Sequence, residues 1–346
     1  MTKAVTIQSI AAQLNLSRNT VAKALNGHHV PERTRLLVLK KAQEMGYKSL
    51  NSTVIESNKR YRLLLVSGKP ISSMSYFVSL VKGIDDYCYA NNYDFFQYTY
   101  NIAKTSFDSF AEYVKQLNVD GIVAIECFDK EFVNKLLDLG KPICFNDFTA
   151  ADVNDKSNYD IITTNDEKSI CDVVNLLYRK YKVKNFTFVG DYKHCLSFKE
   201  RYFGMLRGLL NIQGIHSKKD DILCNDETFD YGDANAIANE IAQLKYKTDC
   251  YVCCNDFVAR NVCKALESLN LRVPQDAMIV GFDNVAESVA FNPQITSFSI
   301  DKELLGKETI RTLISRIENH DTPSRMVTVR TAMMLRESTE RDTDAE

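Results

Sequence analysis

The stretch Thr6–Tyr47, TIQSIAAQLNLSRNTVAKALNGHHVPERTRLLVLKKAQEMGY, decides how the N-terminal part of this 346-residue chain folds. Ile7, Ile10, Ala11 and Leu14 recur at the i, i+3, i+4, i+7 spacing of one helix face. Thr6 stands where an N-cap belongs, and Asn15 suits a left-handed turn after Leu14. Leu16 is expected to be a buried turn residue, and Ser17 to cap a second helix with apolar face Val21, Ala24 and Leu25. Asn26-Gly27 ends that helix. A third begins near Pro31, carries the stripe Leu36, Val38, Leu39, Ala42 and Met45, and stops at Gly46. Two short helices joined by a tight turn, with a third packed across them, form a helix-turn-helix; a generic three-helix cap is the other reading of the pattern. On the second helix Arg18, Asn19 and Lys23 point away from the apolar face and have the reach for base edges, while Ser17 and Thr20 suit phosphate oxygens.

Charge divides at the same place. Residues 1–62 hold eleven Lys and Arg against three Glu, a net +8, which leaves −10 for the rest of a chain whose total is only −2. A basic module on an acidic body suits a polyanion-binding head, although a basic solvated surface produces the same numbers. No run reaches the roughly 18 apolar residues of a membrane span, and the N-terminus lacks a secretory h-region, which predicts a cytoplasmic protein without membrane contact. The ten cysteines all lie at or after Cys88 and are expected to be reduced core residues. Cys250, Cys253 and Cys254 sit in a strand-like run with no second ligand pair nearby, so no metal is expected.

Beyond Arg62, strand-like runs alternate with helical ones. The expected strands are Arg62–Val66, Tyr93–Tyr98, Gly121–Ile125, Pro142–Asn146 and Tyr159–Thr163, then Asn185–Val189, Asp221–Cys224, Cys250–Cys254 and Ala277–Gly281. Helices are expected at Phe77–Asn91, Phe107–Leu117, Ser169–Tyr181 and Val258–Leu269. This alternation predicts two doubly wound parallel sheets with a cleft between them and a ligand beyond the strand carboxyl ends. Polar residues gather there: Tyr76 and Phe77, Asp147, Asn255, Asp283, and Arg201 on a following helix. A fixed Asp and Arg beside aromatic rings suit a polyol or sugar, while any one of these residues could equally be a loop cap or a surface ion pair.

The Thr6–Tyr47 stretch resembles the DNA-binding head of LacI/GalR (lac-repressor-type) bacterial regulators, through Thr6-Ile7, Ala11, Ser17, Thr20-Val21, Leu25-Asn26-Gly27, Thr34-Arg35 and Gly46-Tyr47. The body resembles the same family, through "DGIV" (Asp120–Val123), "GKPICFND" (Gly140–Asp147), "ITTND" (Ile162–Asp166), "SFKERYFGM" (Ser197–Met205), "CCNDFVARNVCKALESLNLRVPQDAMIVGFDN" (Cys253–Asn284) and "LRES" (Leu335–Ser338). The resemblance implies an all-α helix-turn-helix head over 1–46, a hinge over 47–61 and an α/β, periplasmic-binding-protein-like body over 62–346. It implies an N-lobe of about 62–164 and 296–321, and a C-lobe of about 165–295 and 322–346. The implied partners are a pseudo-palindromic DNA operator, a second copy of the chain as a homodimer, and a small effector such as a sugar, with no cofactor. Effector contacts carried over by position are Asp147, Arg201, Asn255 and Asp283, with Tyr76, Phe77, Glu227 and Phe229 beside them; Glu227 stands where some members place an aromatic, which points to a more polar ligand. DNA contacts include Thr6, Ser17, Arg18, Asn19, Thr20, Lys23, Asn26, His28 and His29. In the hinge, the family's proline and wedge leucine are missing; Glu56 stands about where the leucine belongs, so Val54 or Ile55 would have to wedge the minor groove.

No Gly-rich nucleotide loop, nucleophile elbow or zinc-protease motif is present, and none of the five histidines has a metal or triad setting, so no enzyme is expected. The remaining alternative is a cytoplasmic solute-binding protein without DNA activity, which fits the body but leaves the head unexplained.

Overall fold

The computed structural model describes residues 5–25, 30–45, 47, 60–71, 75–153, 158–213 and 222–341. It falls into two units, 1–60 and 61–346.

In the first unit, α1 (Ile7–Leu14), α2 (Arg18–Leu25) and α3 (Glu32–Glu44) enclose Ile10, Ala11, Val21, Ala24, Leu25, Val38 and Ala42. Local chemistry sets the ends of these helices. Thr6 and Ser9 form a reciprocal capping box, and Asn15 closes α1 at φ 52° in the left-handed region. Ser17 Oγ accepts from the Thr20 amide at 3.0 Å, which starts α2. Leu16, expected to be buried, is half-exposed and packs at the edge of this core.

The second unit opens at Tyr61, a residue that sequence placed in the linker. It is 1% exposed, and its hydroxyl donates to Glu318 Oε1 at 2.9 Å. From there β1 (Arg62–Ser67), β2 (Asp94–Thr99), β3 (Gly121–Ile125), β4 (Ile143–Asn146) and β5 (Tyr159–Thr164) form a parallel sheet with α4 (Ser75–Ala90), α5 (Phe107–Leu117) and α6 (Lys130–Asp138) between them. In β1, Leu63 and Leu65 face one core and Leu64 and Val66 face the other, because successive side chains point to opposite faces. That is why the strand reads as an unbroken apolar run. The second sheet holds β6 (Phe186–Val189), β7 (Ile222–Leu223), β8 (Cys250–Cys253) and β9 (Met278–Val280), with α7 (Asp166–Tyr181), α8 (Leu196–Gln213), α9 (Ala234–Ala242) and α10 (Asp256–Ser268) as its helices. All ten cysteines are free and buried.

The C-terminal part corrects the expected lobe boundaries. After α11 (Ala286–Val289), β10 (Ser297–Ser299) stays with the second sheet through a Val280–Thr296 bridge. Helix α12 (Lys302–Glu318) then packs on α4 and on β3 to β5 of the first lobe. Strand β11 (Met326–Val329), assigned to the second lobe from sequence, pairs with β5 in the first sheet. Strand β12 (Ala332–Met334) returns to pair with β10, and Ser338 beyond it donates to the Ile279 carbonyl at 2.7 Å. The chain therefore crosses between lobes at 164–166, 299–302 and 329–332. Helices α4 and α12 touch backbone to backbone: a Cβ on Gly306 would lie 2.2 Å from the Leu80 carbonyl oxygen, so only glycine fits.

The strand orders place the cleft. The first sheet runs β11-β5-β4-β3-β1-β2 and the second β7-β6-β8-β9. Order reverses between β1 and β3 in one sheet and between β6 and β8 in the other. Ligand crevices open at such reversals, beyond the carboxyl ends.

Candidate functional site

In the head, Arg18, Asn19 and Lys23 are exposed on α2, while Val21, Ala24 and Leu25 on its other face are buried. Thr6 and Ser17, expected at phosphates, are occupied in the capping interactions already described, and Ser17 Oγ also shares a hydrogen bond of 2.8 Å with Thr20 Oγ1. These groups set the helix ends whatever else they touch. The expected contacts at Asn26, His28 and His29 and the wedge residues Val54 and Ile55 lie outside the described residues.

In the body, the strand ends converge on two joined chambers. The inner one, about 120 Å³, brings together Tyr76, Phe77, Asp147, Arg201, Asn255 and Asp283. The outer one, about 550 Å³, adds Glu227 and Phe229 and shares Tyr76, Asn255 and Asp283. All eight effector candidates thus surround one cleft. Phe77 is mainly a core side chain, and Glu227 is exposed at the rim.

Backbone geometry aims the carboxylates. Glu126 ends β3 at φ 55°, Asp147 follows β4 at φ 62° and Asp283 follows β9 at φ 97°. Left-handed conformations cost non-glycine residues energy, and they cluster where function over-determines the chain. Asn255, besides lining the cleft, caps α10 by accepting from the Val258 amide at 3.0 Å.

Arg201 is 4% exposed and its guanidinium is largely committed to protein partners. Its Nε donates to Asp166 at 2.8 Å and one terminal nitrogen donates to the Cys254 carbonyl at 2.5 Å. The other terminal nitrogen stands 3.6 Å from Asp283, and the Phe282 ring lies 3.8 Å from the guanidinium carbon. Asp166, itself 0% exposed, was read only as part of a family motif; as the first residue of the helix after a crossover, it was a carboxylate waiting for a buried cation.

Asp147 ties the two lobes. Its carboxylate accepts from Ser197 Oγ at 2.6 Å and from the Ser197 amide at 3.1 Å. Beside it Leu196 donates to the Phe148 carbonyl at 2.7 Å, and Thr149 bridges Cys195. Sequence reading also missed Lys69, Glu126, His194 and Phe198. Lys69 pairs with Glu126 at 2.8 Å, and His194 sits between the rings of Phe128 and Phe198. They stand in irregular loops, where periodicity carries no signal.

Burial raises the Asp147 carboxyl to about 6, against the lowering effect of its bonds from Ser197 and Phe148. Burial likewise pushes Asp283 up, against the pull of Arg201 and Lys302, and pushes the His194 imidazole down. For Asp147 the folded chain keeps a proton that the unfolded chain releases near pH 4. The resulting stability is therefore present below about pH 4 and lost as pH rises through about 6. Asp147→Asn keeps the amide bonds and removes the titration, so its melting temperature should fall less than that of the natural chain across this window. A steeper fall in the variant would contradict the assignment.

Among the described residues no group of His, Cys, Asp and Glu is arranged to hold a metal, and no helix is long and apolar enough to cross a membrane. What the cleft offers is a polar floor, carboxylate acceptors and aromatic walls.

Residues 180–339 match the model of a periplasmic binding protein-like domain. Across 96% of this chain and 99% of its own length, the NTD biosynthesis operon regulator NtdR of Bacillus subtilis is 26% identical. The HTH-type transcriptional repressor PurR of Mannheimia succiniciproducens is 23% identical over 96% of this chain and 98% of its own. Among solved structures, the transcriptional regulator CelR–cellobiose complex superposes with a TM-score of 0.70 at 20% identity, covering 96% of this chain and 99% of that one. The lac repressor dimer bound to operator and the anti-inducer ONPF gives 0.64 at 18% identity, covering 97% and 99%. These relatives are transcriptional regulators, not enzymes.

Proposed function

This chain is a LacI/GalR-type transcriptional regulator, and we propose that it acts as a homodimeric, cytoplasmic repressor whose two heads read a pseudo-palindromic operator while a sugar or related polar effector occupies the cleft. The regulator is ligand-responsive and DNA-binding, as its relatives' identities require; a solute-binding protein without DNA activity is set aside. The carrying observation is the exposed row Arg18, Asn19 and Lys23 on a helix whose opposite face is fully buried. A rigid helix with free long polar side chains fits the major groove, and two-fold related heads bind half-sites about one helical turn apart. The effector acts by favouring one arrangement of the two lobes, a population shift limited by its differential affinity for the two states.

Operator binding by the full-length protein to DNA from its own upstream region tests this reading. Arg18→Ala or Lys23→Ala should weaken binding by about 1–3 kcal/mol and relax sequence preference if the side chain reads a base. If it contacts only phosphate, affinity should drop similarly on all sequences, with a shallower salt dependence. Unchanged affinity in both variants would sink the head assignment.

A further inference from the structure

We infer that the ligand of the cleft is a polyhydroxylated cation, an amino-substituted sugar or polyol larger than one ring, and not a neutral hexose or a sugar acid. The inference rests on the effector role proposed for the cleft and narrows it.

It follows from which groups remain free after the protein has satisfied itself. The cations that line the inner chamber are Lys69 and Arg201. Lys69 is held by Glu126 at 2.8 Å. Arg201 spends one nitrogen on buried Asp166 and another on the Cys254 carbonyl. Two carboxylates then remain without full compensation. Asp147 accepts only from the Ser197 hydroxyl and from backbone amides; among the described residues no lysine or arginine stands within ion-pair distance of it. Asp283 has a single ion-pair contact, to Arg201 at 3.6 Å, longer than a hydrogen bond. The free capacity of the floor is therefore to accept, and a ligand that fits must donate. Hydroxyls donate, but two buried negative charges favour a donor that also carries positive charge. The outer chamber continues the bias, with Asp191, Glu227 and Glu287 on its walls against Arg260.

Size and aromatic faces set the rest. The outer chamber is large enough by itself for a small-molecule site, typically about 300–1,000 Å³. Phe198, Phe229, Tyr231 and Phe257 line it, and ring faces hold both sugar rings and ammonium groups. An anionic ligand would meet Asp147 and Asp283 with no free arginine fork to receive it.

The test is calorimetric titration of the full-length protein at about pH 7.5 and about 0.15 M salt, where exposed charge effects are screened. The probes are matched sets differing in one group: glucosamine, glucose and glucuronate; galactosamine, galactose and galacturonate; and the disaccharide of two glucosamines beside cellobiose. At least one amine should bind about tenfold tighter than its hydroxyl counterpart, about 1.4 kcal/mol, while the acids do not bind. Asp147→Asn and, independently, Glu126→Gln should each cut the amine's advantage about fivefold or more and change the neutral partner by less than about threefold. Neutral sugars binding as well as or better than every amine, binding of an acid, or no binding of any amine would overturn the inference. The proposed function fails separately: if the protein holds no operator DNA, the regulator reading falls whatever the cleft binds, and if a neutral sugar releases it from DNA, that reading stands while this one falls.

Discussion

Arg201→Ala is expected to cost the body about 3–5 kcal/mol, the range for breaking a buried ion pair by removing one partner. The reason is Asp166. It is 0% exposed, Arg201 Nε is its cationic partner at 2.8 Å, and its other side-chain bond comes from Thr164 Oγ1. Without the guanidinium, a carboxylate stays in the interior with one hydroxyl. The Cys254 carbonyl also loses a donor, and the face of Phe282 loses the cation stacked on it. The effector response proposed for the cleft should vanish as well, so loss of response in this variant will not by itself prove a ligand contact. Asp283→Asn is the cleaner probe, because Asp283 makes only the 3.6 Å contact to Arg201. Chemical denaturation reads the first effect: a midpoint unchanged in Arg201→Ala would mean that Asp166 finds another partner or neutralises at little cost. In the double variant Asp166→Asn with Arg201→Met the loss should be smaller than the sum of the single losses, because no unpaired charge remains.

Asp160→Ala should be as damaging, at about 3–5 kcal/mol, for a purely architectural reason. Asp160 on β5 is 0% exposed and accepts from Arg316 at 2.5 and 3.2 Å. It also accepts from the Arg325 side chain at 2.8 Å and the Arg325 amide at 2.7 Å. Arg316, also 0% exposed, donates on to the carbonyls of Thr322 and Pro323. One carboxylate thus fixes β5, the end of α12 and the entry to β11. Burial pushes its carboxyl up, but the bonds from the two arginines outweigh it and hold it below the usual range. A depressed carboxyl contributes stability that is present above the unfolded value, near pH 4, and lost as pH falls further. The natural chain should therefore show an acid-unfolding limb that Asp160→Ala lacks. Identical acid limbs would show that the network contributes nothing through Asp160.

Local chemistry made most of this architecture legible. Thr6, Asn15 and Ser17 announced the ends of α1 and α2 because capping and left-handed turns depend on a few atoms next to each other in sequence. The apolar runs of β1 and β3 were equally plain, since a strand buried on both faces needs a hydrophobe at every position. Strand β11 was assigned to the wrong lobe because Met326 and Thr328 alternate at a sheet edge, and nothing within that segment says which sheet it joins. The site was legible where a polar residue directly follows a strand, as at Asp147, Asn255 and Asp283. It was hidden where partners come from loops far apart in sequence. Lys69 and Glu126 meet only because β1 and β3 are neighbours, and Asp166 meets Arg201 only because α7 packs along α8.

The three crossings of the chain between lobes also bear on how the protein is made. Neither lobe is a continuous segment. As the chain leaves the ribosome, residues 62–164 emerge with the edge of β5 bare and without the helix that covers one face of their sheet, since both wait for 302–329. The second lobe in turn waits for Ser338, whose hydroxyl accepts from the Thr296 amide and donates to the Ile279 carbonyl. Closure of both lobes is therefore a late, post-synthetic step dominated by contacts between distant residues, the kind that folds slowly. A nascent chain stalled before residue 300 would present two unfinished sheets at once, and neither lobe can be produced alone by cutting the gene at a single point.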